Sequence, residues 1–317
     1  MPTFAQGSRS SLRYVVESAF GTTPTVDAGA PAFSLPFSSH SLNLSKDLVA
    51  GTDIQADRMP RHERHGNKQS AGDIVVDLRK GDFDPFLESV MLNTFVDSGT
   101  NDTLVVGTTP KYFSIEDYSA DIDQARLFTG QTVSTMGISI APNQMVTTTF
   151  GMVGKGMSVS ATQFTHETAA SVNSPFDAYS GDLKIGNNVG TLASSAIITQ
   201  IDFNVSNSFA PTFVVGSDET PALEVGRAEV TGSFSAYFED AALINRFLNE
   251  TESAIEVSVT DAATPVNSYA FTFPRVKINS ADVGVDGPTS RVISMSFTAL
   301  YDTTANTNLK IVRTPFS

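Results

Sequence analysis

The chain has 317 residues and a formal net charge of −14, a balance unsuited to holding nucleic acid, whose phosphates are bound through Lys and Arg. Cysteine is absent, which excludes disulfide frameworks, thiolate metal sites, iron–sulfur clusters and cysteine nucleophiles. Only 17% of the residues are charged and 22 are Phe, and together with abundant Ser and Thr this composition favours strands over surface helices.

The first 32 residues are predicted to form an extended N-terminal arm, because Gly and Pro recur along them. Arg9, Arg13 and Glu17 interrupt any apolar run near the start, so we expect no secretion signal and a soluble protein made in the cytoplasm. The longest stretch without charge, residues 127–154, contains Pro, Asn, Gln and many Thr, and we therefore expect no membrane span.

The first half of the chain predicts a strand, a short helix and a hairpin, in that order. Apolar and polar residues alternate over 72–78, as in a strand with one buried face. Asp84 is a suitable N-cap with Pro85 at the first helical position, and the apolar residues that follow form one stripe. Two further strands, 133–140 and 145–153, flank a Pro-Asn-Gln turn and indicate a hairpin.

The second half repeats this order of elements. An alternating segment over 201–205, a polar loop and a strand over 230–238 precede a helix capped by Asp240, whose apolar residues have the spacing found in the first helix. The remaining predicted counterparts are 112–115 with 269–273, 125–128 with 275–278, and 145–153 with 291–301. A chance match of ordinary β patterns is the alternative, and we interpret the repeat as a duplicated β-rich domain.

The repeat divides the chain into four segments. They are an extended arm over 1–32, a first β domain over 33–165, a second β domain over 166–301 and a C-terminal tail over 302–317. The predicted fold class is therefore mainly β, with two tandem domains that each have one short flanking α-helix, in addition to the arm and long loops.

The candidate catalytic and metal motifs do not meet the requirements of their chemistry. His62 and His65 stand three positions apart between Pro60 and Gly66, whereas a zinc-binding helix places its two His four positions apart. The glycine-rich segment 151–156 lacks the first Gly and the Ser or Thr of a phosphate loop. We therefore predict that the protein is not an enzyme and has no cofactor and no catalytic or metal-binding residues.

A basic cluster lies in the polar stretch 46–69, which is predicted to be a loop. Its members are Arg58, Arg61, Arg64 and Lys68. One interpretation is a solvated loop. The other is a contact between subunits, in which these cations meet acidic surface of another copy and steer its approach.

The opening of the chain is its most specific stretch. Tyr14, Glu17 and Phe20 stand in the run YVVESAFGTTP, which resembles the N-terminus of the major tail tube proteins of long-tailed, siphovirus-like bacteriophages. Residues 175–181 and 294–301 resemble the middle and the last strand of that family. The resemblance implies that the three named residues make contacts between subunits or between rings.

What the resemblance implies is a structural protein of the virion tail. Two tandem tail tube domains, each a β-sandwich or barrel, are expected to join side by side into rings whose bore is a continuous β-barrel. The arm and the long loops are expected to bridge stacked rings, and the resulting tube is the conduit for genome ejection. The implied partners are further copies of the chain, a tape measure protein, a tail terminator and distal tail proteins, while double-stranded DNA passes without specific binding.

Two questions stay open in the sequence. If both domains line the ring, three chains complete a ring with pseudo-six-fold symmetry, whereas an outward second domain requires six chains. The alternative function is a capsid or tail decoration, or an adhesin-like β-rich binding module. A carbohydrate-active enzyme is disfavoured, because Trp is absent and no credible pair of carboxylates is present.

Overall fold

The computed structural model describes residues 4–57, 59–99, 101–195, 198–261, 267–285 and 287–314. Strands dominate these residues, with two short α-helices, which confirms the mainly β fold class. The first half contains β1 (Ser10–Glu17), β2 (Phe33–Leu35), β3 (Ser39–His40), β4 (Asn43–Ala50), β5 (Glu63–Asp77), α1 (Asp84–Met91), β6 (Asp102–Val105), β7 (Tyr112–Ser119), β8 (Gln124–Ile140), β9 (Thr147–Gly154) and β10 (Gly156–Ser160). The second half contains β11 (Asp182–Gly186), β12 (Ala193–Ser194), β13 (Ile198–Ser206), β14 (Ala210–Pro211), β15 (Leu223–Glu224), β16 (Glu229–Tyr237), α2 (Ala242–Leu248), β17 (Ser253–Thr260), β18 (Ser268–Val283), β19 (Val292–Ala299) and β20 (Lys310–Arg313).

Eight of these strands form one continuous antiparallel sheet, here called the central sheet. Their order across it is β4-β5-β9-β8-β13-β16-β19-β18. The first four strands come from the first half of the chain and the last four from the second half. The halves meet where residues 135–140 of β8 pair with residues 201–206 of β13.

The strand pairings of the second half match those of the first. β4 pairs with β5, β5 with β9 and β9 with β8, just as β13 pairs with β16, β16 with β19 and β19 with β18. The last pair of each set shifts register by one residue, at Ser134 in β8 and at Asn279 in β18. A Cβ on Gly72 or Gly232 would lie 2.5 or 2.8 Å from a backbone oxygen of the neighbouring chain segment, so both positions require Gly. The division of the chain at residue 165 stays a prediction.

The two long strands β8 and β18 continue beyond the central sheet into a second group of strands. The first part of β8 pairs with β7 and β10, and the first part of β18 pairs with β17 and β20. The core lies between the two groups. Phe86 of α1 stacks on Phe113 of β7 at 4.8 Å between ring centroids and packs against Phe150 of β9 at 5.4 Å. Helix α1 thus buries its apolar stripe inside the core, as its spacing predicts.

The two ends of the chain differ from the predicted arm and tail. Within the predicted arm, β1 pairs with β7 along its whole length, and Leu12 and Tyr14 are buried. Val15 is buried as well, and the free energy of burying these three apolar side chains outweighs the freedom of an extended arm. Within the predicted tail, β20 pairs with both β18 and β6 and so holds the two halves together.

The predicted loop over 46–69 and some predicted counterparts also differ. Most of 46–69 is a hairpin, in which residues 43–50 pair with residues 63–71. β17 is absent from the predicted elements, and it is the true counterpart of β7, because each pairs with the first part of the long strand that follows it. The predicted strands 269–273 and 275–278 are both parts of β18.

Both predicted helices form. α1 begins at Asp84 itself, so Asp84 is not the N-cap, and its carboxylate instead accepts hydrogen bonds from Tyr269 and Arg313. α2 begins at Ala242 with Ala241 at the N-cap, so Asp240 is not the N-cap either. Its Oδ1 instead accepts a hydrogen bond from the N–H of Ala242 over 2.7 Å, in a turn just before the helix. Among the described residues, neither helix has the length and apolar character needed to cross a membrane.

Candidate functional site

The face of the central sheet that points away from the core is mostly polar. Along β16, Val230 and Phe234 are buried, whereas Thr231 and Ser233 are exposed on the opposite face. This alternation is that of a strand with one face packed and one face wet. The central sheet therefore presents a broad surface of small hydroxyl and amide side chains, here called the polar face.

A shallow hollow of about 590 Å³ lies on the polar face where the two halves of the chain meet. Polar side chains around it bond to one another: Ser139 donates to Asp202 over 2.5 Å, and Asn279 donates to Thr298 over 2.8 Å. These bonds satisfy side chains that would otherwise be available to a ligand. The hollow is open and shallow, and so does not enclose a ligand as a typical binding pocket does.

The charge of the polar face is mainly negative. The charged residues on it include the acidic Asp73, Asp77, Asp202, Glu229 and Asp282 and the basic Lys277 and Arg275, and Arg275 forms an ion pair with Glu252. Lys277 Nζ lies 2.8 Å from Glu250, so its charge is compensated by a neighbouring carboxylate. A surface of this kind repels a polyanion such as DNA.

The central sheet has an unpaired edge at each end within the described part of the chain. β4 pairs with β5 alone, and residues 280–283 of β18 pair with β19 alone. At these edges the core-facing side chains of Leu44, Ala281 and Val283 are only half-buried. Unpaired edges present N–H and C=O groups that accept another strand. These two edges, together with the polar face, are the candidate assembly site.

Tyr14, which was predicted to contact another subunit, lies in the core of its own chain. Its ring is 5.4 Å from Phe33, 5.1 Å from Phe86 and 5.7 Å from Phe113 between centroids. Burial, together with the nearby carboxylate of Asp84, raises the pKa of Tyr14 above its ordinary range. The side chain therefore stabilises the fold through packing of its aromatic ring.

Glu17 is also buried, and its carboxylate fixes the turn that follows β1. It accepts hydrogen bonds from the N–H of Gly21 over 2.6 Å, from Ser114 Oγ over 2.6 Å and from the N–H of Gly130 over 2.9 Å. Gly21 and Gly130 both have positive φ, at 72° and 65°, which Gly adopts without strain. Glu17 and Gly21, which both belong to the specific N-terminal run, are thus joined by a hydrogen bond that fixes this turn.

Phe20 lies beside this turn and is half-buried. Its ring centroid is 4.9 Å from that of Tyr112, and Lys155 Nζ lies 5.9 Å from the Phe20 ring. Part of the ring stays accessible, so a contact between subunits remains a prediction for Phe20, whereas the contacts of Tyr14 and Glu17 are accounted for inside the chain.

The described members of the predicted basic cluster make different contacts within the chain. Arg58 lies outside the described residues. Arg61 forms an ion pair with Asp57, and Arg64 is exposed on β5 opposite Val49 of β4. Arg61 and Arg64 therefore remain available on the hairpin, where contact with another copy stays a prediction.

Lys68 bonds within its own chain instead. Its Nζ lies 3.1 Å from Glu219 and 3.3 Å from Asp218, in the loop between β13 and β16. The hydrogen bond to Glu219 raises the pKa of Lys68, which keeps it charged. Lys68 thus ties the hairpin of the first half to a loop of the second half.

A second link between the halves surrounds Arg313 near the end of β20. Arg313 Nε donates to Asp102 over 2.8 Å, and its Nη1 donates to Asp84 at the start of α1. Burial raises the pKa of Asp84, against the opposing effects of the hydrogen bond from Tyr269 and of the Arg313 charge. This network serves the fold, because its members link α1, β6, β18 and β20.

Two pairs of residues of the types that bind metals, His62 with His65 and Asp121 with Asp123, occupy ordinary positions. His62 and His65 lie on the exposed hairpin. Asp121 forms an ion pair with Arg9 at 2.8 Å, and Asp123 accepts a hydrogen bond from Tyr118 over 2.8 Å. Within the described ranges, no three His, Asp or Glu side chains are placed to share a metal ion.

The unpaired edges are the part of the site that sequence reasoning missed. Most of β4 falls in the stretch 46–69 that the sequence predicts to be a loop, and the last residues of β18 carry no apolar signal stronger than Ala281 and Val283. The internal repeat is the signal in the sequence that indicates the unpaired edges. When two similar halves join side by side in one sheet, each half keeps one outer edge without a partner.

The sequence matches one family of known proteins. Residues 7–299 match the family described as phage tail tube protein, and this range includes all eight strands of the central sheet. A search of curated proteins gave no match. The match spans nearly the whole chain, and the mainly β fold agrees with it, so this chain belongs to the phage tail tube protein family, a family of structural proteins of the virion tail.

Proposed function

We propose that copies of this chain join edge to edge into rings that stack as the hollow tail tube of a siphovirus-like phage. The observation that supports this proposal best is the central sheet, with one unpaired edge at each end and one polar, mainly acidic face. Both edges of such a sheet gain hydrogen-bonding partners when further copies of the chain join edge to edge into a closed ring.

The polar face is proposed to line the bore through which the genome is ejected. Its small Ser, Thr and Asn side chains bond to one another, and its carboxylates repel the phosphates of double-stranded DNA. DNA thus passes without specific binding. The protein acts as a conduit and carries out no reaction in this proposal.

Rings are proposed to stack through the β4–β5 hairpin and the surface around Phe20. The hairpin presents Arg61 and Arg64 together with exposed apolar residues, Leu48 and Val49. Exposed Arg beside apolar side chains is typical of protein interfaces. A tape measure protein inside the tube and tail terminator and distal tail proteins at its ends complete the proposed set of partners.

Electron microscopy of the purified protein at high concentration, with analysis of ring symmetry, tests this function. We expect hollow stacked rings of three chains, because each chain supplies two similar sets of four strands. Isolated particles that never stack at any salt or protein concentration would overturn the proposal and favour a decoration or adhesin-like module. Rings of six chains would keep the tube but reject the place of the second half in its wall.

A further inference from the structure

We infer that β18 of one chain pairs antiparallel with β4 of the next chain, in the register that β8 and β13 adopt inside the chain. This inference rests on the proposed function and identifies the partner and the alignment of the two unpaired edges. The internal junction is the template, because it already joins the end of one set of four strands to the start of a similar set.

The register shift in each half aligns β8 with β18. β8 shifts by one residue at Ser134 in its pairing with β9, and β18 shifts by one residue at Asn279 in its pairing with β19. If these two residues are equivalent, residues 135–140 of β8 correspond to residues 280–285. Of these, residues 280–283 belong to β18, and residues 284 and 285 follow it. β18 ends at Val283, and residues 284 and 285 lie where the equivalent residues of β8 are still paired with β13.

The two glycines align β13 with β4. Phe203 of β13 lies opposite Gly232, and Asn43 of β4 lies opposite Ala71, which places Leu42 opposite the equivalent Gly72. Phe203 therefore corresponds to Leu42, and Asn204 corresponds to Asn43. The aligned positions keep their chemical type, with an apolar residue toward the core and an Asn on the polar face.

Transfer of the internal pairs to the two edges gives the alignment between chains. Inside the chain, Phe203 pairs with Ile138 and Asn204 pairs with Gly137. The inferred pairs between chains are Leu42 with Val283, Asn43 with Asp282, Leu44 with Ala281, and Ser45 with Ser280.

Burial of the edge residues supports this alignment on the core side. The internal pair Val205 and Met136 is fully buried at 0% exposure, whereas the corresponding Leu44 and Ala281 are half-buried. Val285 is 71% exposed, although the equivalent Ile140 is 9% exposed. These apolar side chains lack the cover that their internal equivalents have, and the next chain supplies that cover in the inferred alignment.

The polar side of the alignment is equally compatible. Asn43 faces Asp282 and Ser45 faces Ser280, so no like charges are opposed and each pair combines hydrogen-bond donors with acceptors. A shift by one residue would place the core-facing Leu44 opposite Asp282 and so bury a carboxylate. The one-residue alternative is therefore strongly disfavoured.

Because the natural chain has no Cys, pairs of introduced Cys test the alignment directly. Four double variants use the same four positions: N43C/D282C and S45C/S280C are aligned, whereas N43C/S280C and S45C/D282C are two residues out of register. Facing Cα atoms of an antiparallel pair lie about 4.5–5.5 Å apart, within reach of a disulfide. Diagonal positions lie about 7–8 Å apart, at or beyond the limit for a disulfide.

The variant G137C/N204C is the matched control inside the chain. Gly137 and Asn204 are the internal equivalents of Asp282 and Asn43, and a Cβ on Gly137 has only Asn204 Oδ1 nearby, at 3.8 Å. An internal disulfide in this variant, seen as loss of free thiol in a monomer, shows that this type of pair permits the bridge.

Assembled tubes of each variant are oxidised and then separated by denaturing electrophoresis without reductant. We expect the aligned variants to give a ladder that ends at three chains and the misaligned variants to give at least tenfold less cross-linked product. If tubes form and the control bridges, but the misaligned variants react instead or no variant reacts, the alignment is wrong while the tube function stands. If neither wild type nor any variant assembles, the proposed function itself fails.

Discussion

Asp117 shows how a single side chain depends on charge partners from two other strands. Arg126 Nε of β8 donates to it over 2.9 Å, and His40 Nε2 of β3 lies 3.7 Å away. Burial raises the pKa of Asp117, but the nearby His40 and the hydrogen bonds and charge of Arg126 outweigh burial, so the pKa lies below its ordinary value. A carboxylate with a lowered pKa stabilises the fold above the pKa of the unfolded chain, about 3.9, and loses this effect as the pH falls through the folded value.

Replacement of this residue is expected to destabilise the chain in a pH-dependent way. Asp117→Asn removes the charge, and we expect the free energy of unfolding to fall by about 1–3 kcal/mol at neutral pH. The difference from wild type should shrink as the pH falls below about 4, measured by urea unfolding of unassembled protein. Asp73→Asn, on the exposed polar face, is the control and should change stability little. A difference for Asp117→Asn that is the same at neutral and acid pH would contradict this account.

At the scale of elements, alternation of apolar and polar residues predicts the strands that have one buried and one exposed face. It misses strands that are exposed on both faces. The strand over 72–78, the hairpin over 133–153 and the buried apolar stripe of α1 form as predicted, whereas in α2 Leu243 is buried but Leu248 is 65% exposed. The outer hairpin has no buried face, since Leu48 and Val49 are 62% and 59% exposed, so no period-two signal marks it. Pairing of β8 with β13 joins residues 61–71 positions apart, from Ile140 with Ile201 to Thr135 with Ser206, and local patterns do not reveal which strands end at an edge.

Shortening the hairpin is expected to separate ring closure from stacking. If an Asn-Gly turn replaces residues 51–62, Ala50 and Glu63 stay paired and the central sheet keeps both edges. We expect single rings and a loss of most long tubes in electron micrographs, because the proposed contacts between rings are removed.

The control for this experiment keeps the full hairpin and changes Arg61 and Arg64 to Ser. If charge steers the stacking contact, this variant should form shorter tubes whose length depends less on salt than that of wild type. Circular dichroism should show unchanged strand content in both variants. Tubes of wild-type length from the shortened hairpin would reject its role.

At the scale of the whole molecule, the net charge is −14, and the polar face is one of the surfaces with an excess of acidic residues. Composition alone predicts a chain that does not hold DNA, but only the fold places Asp73, Asp202 and Glu229 on one surface. The aromatic and aliphatic residues of the same strands form the core on the opposite side. One sheet thus separates the packed interior from the proposed bore.

Reversal of charge on this surface is expected to turn the conduit into a DNA-binding tube. In Asp73→Lys with Glu229→Lys, each copy presents two new cations to the bore, and we expect tubes to retain linear double-stranded DNA at low salt and to release it as salt rises. Glu224→Lys, on β15 outside the central sheet, is the control and should not retain DNA. Co-sedimentation of tubes with DNA measures the effect, and passage of DNA through the variant without retention would reject the polar face as the lining.

The β4–β5 hairpin has no equivalent in the second half, where the loop between β13 and β16 contains only the short pair β14 and β15. In the proposed ring of three chains, six similar sets of four strands line the bore, so the strands repeat about every 60° around the axis. The three hairpins on the end surface repeat only about every 120°. A ring that docks on the one below then has three equivalent orientations instead of six. In the proposed ring of three chains, two orientations that differ by about 60° keep the strands aligned but exchange the places of the two halves, and the hairpins select one of these two phases for stacking.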